Sequence, residues 1–196
     1  MKRLAIFDFD GTITNKDSLL EFIKYYKGPL RFYWGLFMLA PVLLLYAIKL
    51  IPNWRAKEIV LSYFFAHEDV DIFNAKCDAF AKIQLPLMIR PRAVNAIKEH
   101  QLNGDRVVVV SASAENWLSF WCQSYNLELI ATQLEVKHNK ITGKINGFNC
   151  YGMEKKARLE AIVNINEYKE IYAYGDSKGD EDILAMATHP FYRHFH

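Results

Sequence analysis

The apolar positions of the chain begin with a continuous run and not with an alternation. Residues 4–7 are all apolar, which is typical of a strand that is buried on both faces of a parallel sheet. Gly11 indicates the turn at which the chain leaves this strand. We therefore predict the first strand over residues 3–8, which puts Asp8 and Asp10 at its carboxyl end, where open α/β sheets bind their ligands.

The segment after this turn has the apolar spacing of a helix. Four of its apolar residues follow an i, i+3, i+4, i+7 stripe, namely Leu19, Phe22, Ile23 and Tyr26. The sequence Ser18-x-x-Glu21 predicts a capping box at the start of this helix, because side chains at that spacing can accept each other's backbone N–H groups. Gly28-Pro29 predicts its end.

Helical spacing continues beyond this first helix. Pro52-Asn53 predicts a new helix as far as about Phe65, and apolar residues from Phe73 to Ala81 predict another. Residues 15–85 are therefore predicted to form an all-helical insert, or cap, between the first strand and the remainder of the chain.

A stretch of 17 residues inside this insert, from Phe32 to Ile48, carries no charge, and we expect Pro41 to break it. Three interpretations stay open. The first is the buried core of the cap or a contact between two copies, because helices that are apolar all round are usually buried. The second is peripheral contact with a membrane through residues 30–54, whose tyrosines and tryptophans resemble an aromatic belt. The third is a membrane span, although the stretch is short of the ~20 residues that a span needs.

After Pro91 the pattern alternates between strands and helices. Two apolar runs, residues 106–111 and 171–176, predict buried strands that end in polar side chains. Between them the pattern predicts a helix around 115–125, a strand near 127–131, a hairpin turning at 138–140 and a helix from about 153. Such βαβ alternation builds a mostly parallel sheet, so the fold class is α/β, with a core of residues 1–14 and 86–196 and the cap over 15–85.

Composition narrows the classes of function. The chain has 196 residues, of which 52% are hydrophobic, enough for one core domain and the insert. Its formal net charge of +2 comes without a polybasic run, so no nucleic-acid partner is expected. Cys77, Cys122 and Cys150 lack metal or redox spacing, which favours reduced thiols and the cytoplasm. The first strand begins too early to leave room for a signal peptide.

Polar residues follow three of the predicted strands. They are Asp8 and Asp10, Ser111 and Ser113, and Asp176 and Asp180. A pair of acids alone is also consistent with a solvated turn, but oxygen ligands together with Lys155 suit a phosphate bound with Mg²⁺. Asp8 is then the candidate nucleophile that forms an acyl phosphate, and Asp10 the acid and base. Ser111 and Lys155 are candidates for binding the phosphoryl group.

Four motifs occur in a characteristic order: DFDGT near the start, a strand ending in SAS, a lysine at a helix start, and GDSKGD after a strand. Together they resemble the haloacid dehalogenase superfamily over the whole chain. The resemblance implies a Rossmann-like core and Mg²⁺-dependent phosphoryl transfer. It assigns Asp8 as nucleophile, Asp10 as acid/base and main-chain metal ligand, and Asp176 as metal ligand. Asp180 would be an alternate ligand or would support the ligands, and Ser111 and Lys155 would bind phosphate.

Two assignments depend on single positions. Lys155 is preferred to Lys156 because Leu159 stands four residues later, as in the family's K-x-x-x-L pattern. Ser113 is either a second phosphate contact or the N-cap of the following helix, and the cap is the favoured interpretation.

The helical insert resembles the cap of the branch that contains phosphoserine phosphatases, the subfamily IB type. In those enzymes an acidic residue at the cap entry binds the substrate amine, and its counterpart here is Asp17, a shorter side chain than their Glu. Gly179 stands where their last motif has an Asn. Both differences argue against phosphoserine itself as the substrate.

The expected activity is a Mg²⁺-dependent phosphomonoesterase that acts through an aspartyl phosphate on a small-molecule or lipid-linked phosphate. Transfer of the phosphoryl group to an alcohol and a non-catalytic phosphate-binding role are the alternatives. Some members of the same branch that act on phosphatidylglycerophosphate resemble this chain in having an apolar cap. A lysophospholipid-like substrate and a place at the inner face of the membrane are therefore further expectations. The leaving group and the oligomeric state stay open.

Overall fold

A computed structural model of the chain describes residues 2–196. Its strands are β1 (Arg3–Phe7), β2 (Arg106–Ala114), β3 (Glu128–Thr132), β4 (Leu134–Lys137), β5 (Lys140–Ile145), β6 (Glu170–Gly175) and β7 (His189–Tyr192). Its helices are α1 (Ser18–Lys27), α2 (Pro29–Ala47), α3 (Asn53–Phe65), α4 (Val70–Ile83), α5 (Pro91–Leu102), α6 (Glu115–Ser124), α7 (Met153–Ile162) and α8 (Glu181–Ala185). The predicted strands and helices occur in the predicted order, and the structure adds α8 and β7, which were not predicted.

Five of the strands form one parallel sheet in the order β3-β2-β1-β6-β7. The central strand β1 pairs with β2 on one side and β6 on the other, with Leu4 opposite both Arg106 and Ile171. The α/β fold class with a mostly parallel sheet is therefore confirmed. The carboxyl ends of β1, β2 and β6 are neighbours, which brings together the polar residues that follow them.

Both faces of the sheet are covered. Along β1, Ala5 and Phe7 pack into the cluster that continues into the cap, while Leu4 and Ile6 pack into the cluster on the opposite face. This alternation explains the continuous apolar run in the sequence, since every position of a strand between two layers is buried. The three cysteines are buried and unpaired.

The insert is helical, as predicted, and consists of α1 to α4. A second contact joins it to the core, because the antiparallel hairpin of β4 and β5 packs on α3. At Gly143 a side chain would overlap the backbone of Ser62, so the hairpin and α3 are in close contact. The hairpin turns at His138 and Asn139, both with positive φ, which confirms the predicted turn.

The prediction that Pro41 breaks the apolar segment is wrong, because α2 is one helix of 19 residues that runs through Pro41. Proline removes the hydrogen bond to the carbonyl four residues earlier, that of Phe37, and its ring crowds the same carbonyl. Pro41 and Phe37 both lie on the exposed side of α2, where a polar environment can satisfy that carbonyl. The helix therefore tolerates the proline.

Within the described chain, α2 is not the buried core of the cap. Only Phe32, Gly35 and Leu39 are buried in it, and they face α1 and α3. Gly35 allows a close approach to α3, since a Cβ there would lie within 2.9 Å of the Tyr63 ring and closer still to Phe64. By length and mean hydropathy alone, α2 also meets the criteria for a membrane span.

Candidate active site

The carboxyl ends of β1, β2 and β6 open into one cavity of about 420 Å³ between the sheet and the cap. Seven of the residues singled out from the sequence line it: Asp8, Asp10, Asp17, Ser111, Ser113, Lys155 and Asp176. Asp180, the eighth, is fully buried and lies next to the cavity without lining it. The structure therefore brings together all eight.

The turn after β1 sets the position of the first two acids. Asp8 has extended backbone geometry, and its N–H donates to the carbonyl of Tyr174 at 2.9 Å, which continues the sheet by one residue. Residues 9–13 then form a wide turn closed by the N–H of Thr14 on the carbonyl of Phe9 at 3.0 Å. Gly11 has φ 83° within this turn, a conformation that favours glycine.

Lys155 forms a buried ionic contact with two acids. Its Nζ donates to Asp8 Oδ1 at 2.5 Å and to Asp180 Oδ1 at 2.7 Å, and the lysine is only 2% exposed. Burial alone would lower the pKa of Lys155, but the charges of Asp8 and Asp180 more than offset it and raise that pKa. Burial raises the pKa of Asp8 to about 7, although the charge of Lys155 opposes the shift. A cation thus lies directly beside the candidate nucleophile.

The neighbouring lysine, Lys156, lies elsewhere. Its side chain is 43% exposed and forms an ion pair with Glu160 one turn along α7. Leu159, four residues after Lys155, is fully buried, so Lys155 and Leu159 share the inward face of α7. This geometry favours Lys155 as the phosphate-binding lysine.

Asp10 is held by hydrogen bonds from the cap and from the carboxyl end of β2. Its Oδ1 accepts the backbone N–H of Ser18 at 2.7 Å, and its Oδ2 accepts the hydroxyl of Ser113 at 2.5 Å. Burial, and then the charge of Asp17, raise the pKa of Asp10 to about 6. A raised pKa suits a group that must be protonated at one step and ionised at the next.

The prediction that Ser113 caps the following helix is wrong. The N-cap of α6 is Ala114, with no side-chain capping bond. The Ser113 hydroxyl donates to Asp10 instead, and it accepts from the hydroxyl of Ser18, which itself accepts from the indole N–H of Trp117. This buried chain of hydrogen bonds joins cap, core and Asp10.

The predicted Ser18-x-x-Glu21 capping box is also wrong, by one residue. Asp17 is the N-cap of α1, and its side chain accepts the N–H of Leu20 at 3.0 Å. Asp17 is exposed at the mouth of the cavity, so the capping role and a contact with substrate can coexist. Ser18 is buried, and its N–H donates to Asp10.

Three acids offer a set of oxygen ligands. Carboxylate oxygens of Asp8, Asp176 and Asp180 lie within 4.8 Å of one another. Burial, and then the charge of Asp180, raise the pKa of Asp176, as expected where like charges converge. A divalent cation would offset this repulsion, and an all-oxygen set suits Mg²⁺. The residues present therefore fit the predicted ion.

Asp180 is better placed to position the other residues than to bind the ion. Its Oδ2 accepts the N–H groups of Asp176 and Ser177 and the Ser177 hydroxyl, and its Oδ1 accepts from Lys155. Both oxygens are therefore engaged. The Asp176 carboxylate accepts no hydrogen bond within residues 2–196, which leaves Asp8 and Asp176 as the principal candidate ligands.

Gly11→Ala should weaken Mg²⁺ binding at least about tenfold, because the ligand set depends on the absence of a side chain there. A Cβ at Gly11 would lie within 2.9 Å of Asp176 Oδ1 and closer to the rest of that carboxylate. Titration calorimetry with Mg²⁺ measures the effect. Gly104→Ala is the matched control, since Gly104 has a similar φ of 75° but open space around it. Equal Mg²⁺ affinity in the two variants would contradict Asp176 as a ligand.

Sequence reasoning missed a second cation in the cavity, Lys57 on α3. Its Nζ donates to the carbonyl of Ala112, between the two serines, and to Asn149 Oδ1. Burial lowers the pKa of Lys57 to about 8, although the charges of Asp10 and Asp17 oppose the shift. The helical spacing of α3 could have identified Lys57, because it lies on one stripe with three other residues that line the cavity, namely Asn53, Ala56 and Val60.

Asn149 was missed as well, and no local pattern marks it. It lies in the loop before α7, where it donates to Asn53 Oδ1 of the cap at 2.8 Å and accepts from Thr132 of β3. Together with Lys57 it joins the cap to the carboxyl end of β2, which carries Ser111 and Ser113. Its importance comes from contacts between residues that are far apart in the sequence.

Comparison with known proteins gives a consistent result. The family model described as haloacid dehalogenase-like hydrolase matches residues 5–185. Protein CicA of Caulobacter vibrioides is 32% identical over 194 residues, which cover 98% of this chain and 86% of that protein. Histidinol-phosphatase of Neisseria meningitidis serogroup C is 26% identical over 221 residues, which cover 97% of this chain and 89% of the relative.

Solved structures share the fold. A protein of unknown function from Bordetella pertussis Tohama I has a TM-score of 0.83 at 23% identity and covers 97% of this chain and 89% of its own. A phosphoserine phosphatase described as a phospho-aspartyl intermediate analogue has a TM-score of 0.69 at 21% identity. It covers 95% of this chain and 83% of its own. At these identities the likeness extends to the fold alone.

Proposed function

The chain belongs to the haloacid dehalogenase-like hydrolase family, and we propose from this premise that it is a Mg²⁺-dependent phosphomonoesterase. The observation that carries the proposal is the placement of Asp8 in the cavity, beside Lys155 and within reach of the oxygen ligands of Asp176. A nucleophile, a cation for the phosphoryl charge and a metal-ligand set are thereby brought together.

In the proposed reaction the Asp8 carboxylate attacks phosphorus, and the bond from phosphorus to the leaving alkoxide breaks. Asp10, protonated at this stage, donates its proton to the alkoxide. Asp10 then accepts a proton from water, whose oxygen attacks the aspartyl phosphate, so that inorganic phosphate leaves and Asp8 is regenerated. The raised pKa of Asp10, about 6, supports this exchange of roles.

Asp8, Asp176 and the main-chain carbonyl of Asp10 would hold Mg²⁺ in this proposal. The ion supplies positive charge that offsets the repulsion between the carboxylates and the phosphate. Lys155 and the Ser111 hydroxyl would bind the phosphoryl oxygens. Asp180 fixes Lys155 and the backbone at Asp176 and Ser177, so it acts through them.

The proposed substrate is a phosphorylated small molecule, and the cavity wall favours one with an apolar part. Beside its acids, the cavity is lined by six apolar or aromatic side chains from the cap: Leu19, Leu20, Leu43, Tyr46, Ala56 and Val60. Leu43 and Tyr46 belong to α2, so one wall of the cavity is formed by the apolar helix. A lipid-linked, lysophospholipid-like phosphate fits this wall, and Lys57 offers a cation for a second anionic group.

The cytoplasm remains the proposed location, on the basis of three buried thiols without a disulfide partner. A lipid-linked substrate would be met at the inner face of the membrane.

Removal of Mg²⁺ should abolish hydrolysis of phosphate monoesters, and added Mg²⁺ should restore it. The test is phosphate release from amino-acid, sugar, nucleotide and lysophospholipid phosphates, before and after chelation, with detergent for the lipids. Full activity in the chelator would contradict the metal dependence. Phosphate release that falls when an alcohol is added, with a new phosphate ester as product, would favour the transferase. Binding of phosphate without turnover of any ester would favour a non-catalytic role.

A further inference from the structure

The outward side of α2 carries a series of large apolar side chains that are exposed. We define the outer face of α2 as the exposed residues Leu30, Tyr33, Trp34, Phe37, Met38, Leu44, Leu45 and Ile48, which follows the helix end. Leu50 and Trp54 extend it toward α3. Trp34 and Phe37 are 60% and 66% exposed, so these rings lie on the surface and not in a groove. Contiguous exposed apolar surface of this kind indicates an interaction site.

The charged residues of the segment that carries this face have one sign. Between Glu21 and Glu58 the sequence has no acidic residue, while Arg31, Lys49 and Arg55 are exposed at the two ends of α2 and at the start of α3. Within residues 2–196 none of these three cations forms an ion pair with an acid. An apolar face bordered by unpaired cations, with tyrosine and tryptophan at its ends, is complementary to an anionic lipid surface.

The candidate active site lies across the same helix from this face. Leu43 and Tyr46, on the other side of α2, line the cavity that contains Asp8, and Asn53 donates to the Tyr46 hydroxyl at 3.1 Å. A surface that contacts the outer face of α2 therefore lies one helix diameter from the cavity.

We propose that the outer face of α2 docks on the surface of a bilayer that contains anionic lipids. The aromatic rings and aliphatic side chains enter the headgroup region, and Arg31, Lys49 and Arg55 contact the lipid phosphates. The proposal does not depend on catalysis, since docking is measured without substrate.

The geometry favours a helix that lies on the membrane over one that spans it. Phe32, Gly35 and Leu39 hold α2 against α1 and α3, and these helices pack in turn on the core. Both ends of α2 thus return to one globular body, whereas a span would separate them by the thickness of the bilayer. The carbonyl of Phe37, released by Pro41, is also satisfied at headgroup level and would be costly in the hydrocarbon.

A second copy of the chain fits this face less well than an anionic membrane does. In a symmetric pair the outer face of one copy contacts the outer face of the other. The cations at the ends of α2 would then approach the cations of the second copy. The segment from residue 22 to residue 57 offers no acid to pair with them. An anionic lipid surface supplies the missing charge.

The test is co-sedimentation of the purified full chain with vesicles of phosphatidylcholine alone or mixed with phosphatidylglycerol. Three interfacial cations should make binding to the anionic vesicles roughly a hundredfold tighter at low salt, with a loss of binding at high salt. The double variant Trp34→Asp, Phe37→Asp should bind at least about tenfold more weakly. The double variant Leu102→Asp, Ile162→Asp is the control, because it adds the same charge at exposed apolar side chains away from α2.

Each outcome decides the proposal. Weak binding by the outer-face variant alone, with unchanged thermal unfolding and unchanged hydrolysis of a soluble aryl phosphate, supports docking. Equal binding by both double variants, or no binding by the native chain, overturns it. A native dimer in solution that only the outer-face variant dissociates would assign the face to a second copy. Retention of the native chain in membranes washed with alkaline carbonate would assign it to a span.

Discussion

Asp8→Asn should lower the turnover number for an aryl phosphate by roughly 10³-fold or more while the chain stays folded. The amide is nearly isosteric with the carboxylate, but it cannot form the acyl phosphate on which the proposed reaction depends. Folding should be retained because Lys155 keeps Asp180 as its partner, and Asn can still accept from the lysine. The measurement is initial rate at saturating Mg²⁺, with thermal unfolding in parallel.

Asp78→Asn is the control for this variant, because Asp78 is an exposed acid on α4, far from the cavity. It should retain the native rate. Acid quench of the native enzyme during turnover should yield a chain that carries one phosphoryl group, and Asp8→Asn should yield none. Hydrolysis by Asp8→Asn at the native rate would exclude Asp8 as nucleophile. Asp10→Asn should still form the phosphoryl chain from an activated ester but should hydrolyse it slowly.

The sheet could be predicted from the sequence because its strands are buried on both faces. A continuous apolar run such as Val107–Val110 has few alternatives to a buried strand, and Ser111 and Asp176 mark strand ends by their change of polarity. Topology then places these strand ends at one edge. The convergence of Asp8, Ser111 and Asp176 follows from the parallel order of the strands, and this much needed no coordinates.

The sequence did not predict the roles of residues whose local preference is overridden by a contact with a distant part of the chain. Pro41 normally ends a helix, but its cost falls when the freed carbonyl is exposed, and the sequence does not show which side is exposed. Ser18 and Ser113 are both good N-cap residues, yet both are recruited by Asp10 instead. In each case a distant partner decides between two uses of the same side chain.

The cap contributes to the site through residues that carry no motif. Lys57 looked like one more surface lysine on a helix, but it lies on the inward stripe and donates to the carbonyl of Ala112, between Ser111 and Ser113 in β2. The family motifs all belong to the core, so they predict the chemistry and not the substrate. Substrate choice is therefore expected to depend on Lys57, Asp17 and the wall formed by α2.

Lys155→Met should destabilise the chain by about 3–5 kcal/mol and abolish turnover, because it leaves two buried carboxylates without their cation. Asp8 and Asp180 are almost completely buried, and Lys155 is their shared partner. Methionine fills a similar volume, so the expected loss is electrostatic and not the result of a cavity. Denaturant unfolding in the absence of Mg²⁺ measures the change in free energy.

Lys156→Met is the matched control, one residue further along the same helix. Lys156 and Glu160 are each nearly half exposed, and a solvated i,i+4 ion pair of this kind contributes about 0.5 kcal/mol or less. The two substitutions remove the same charge from the same turn of α7, so helix propensity and net charge cancel in the comparison. If both variants lost the same stability, or if Lys156→Met alone lost activity, the assignment of Lys155 would be wrong. A large loss in Lys155→Met alone would show that this one buried cation holds the nucleophile and the GDSKGD loop together, as their shared hydrogen bonds require.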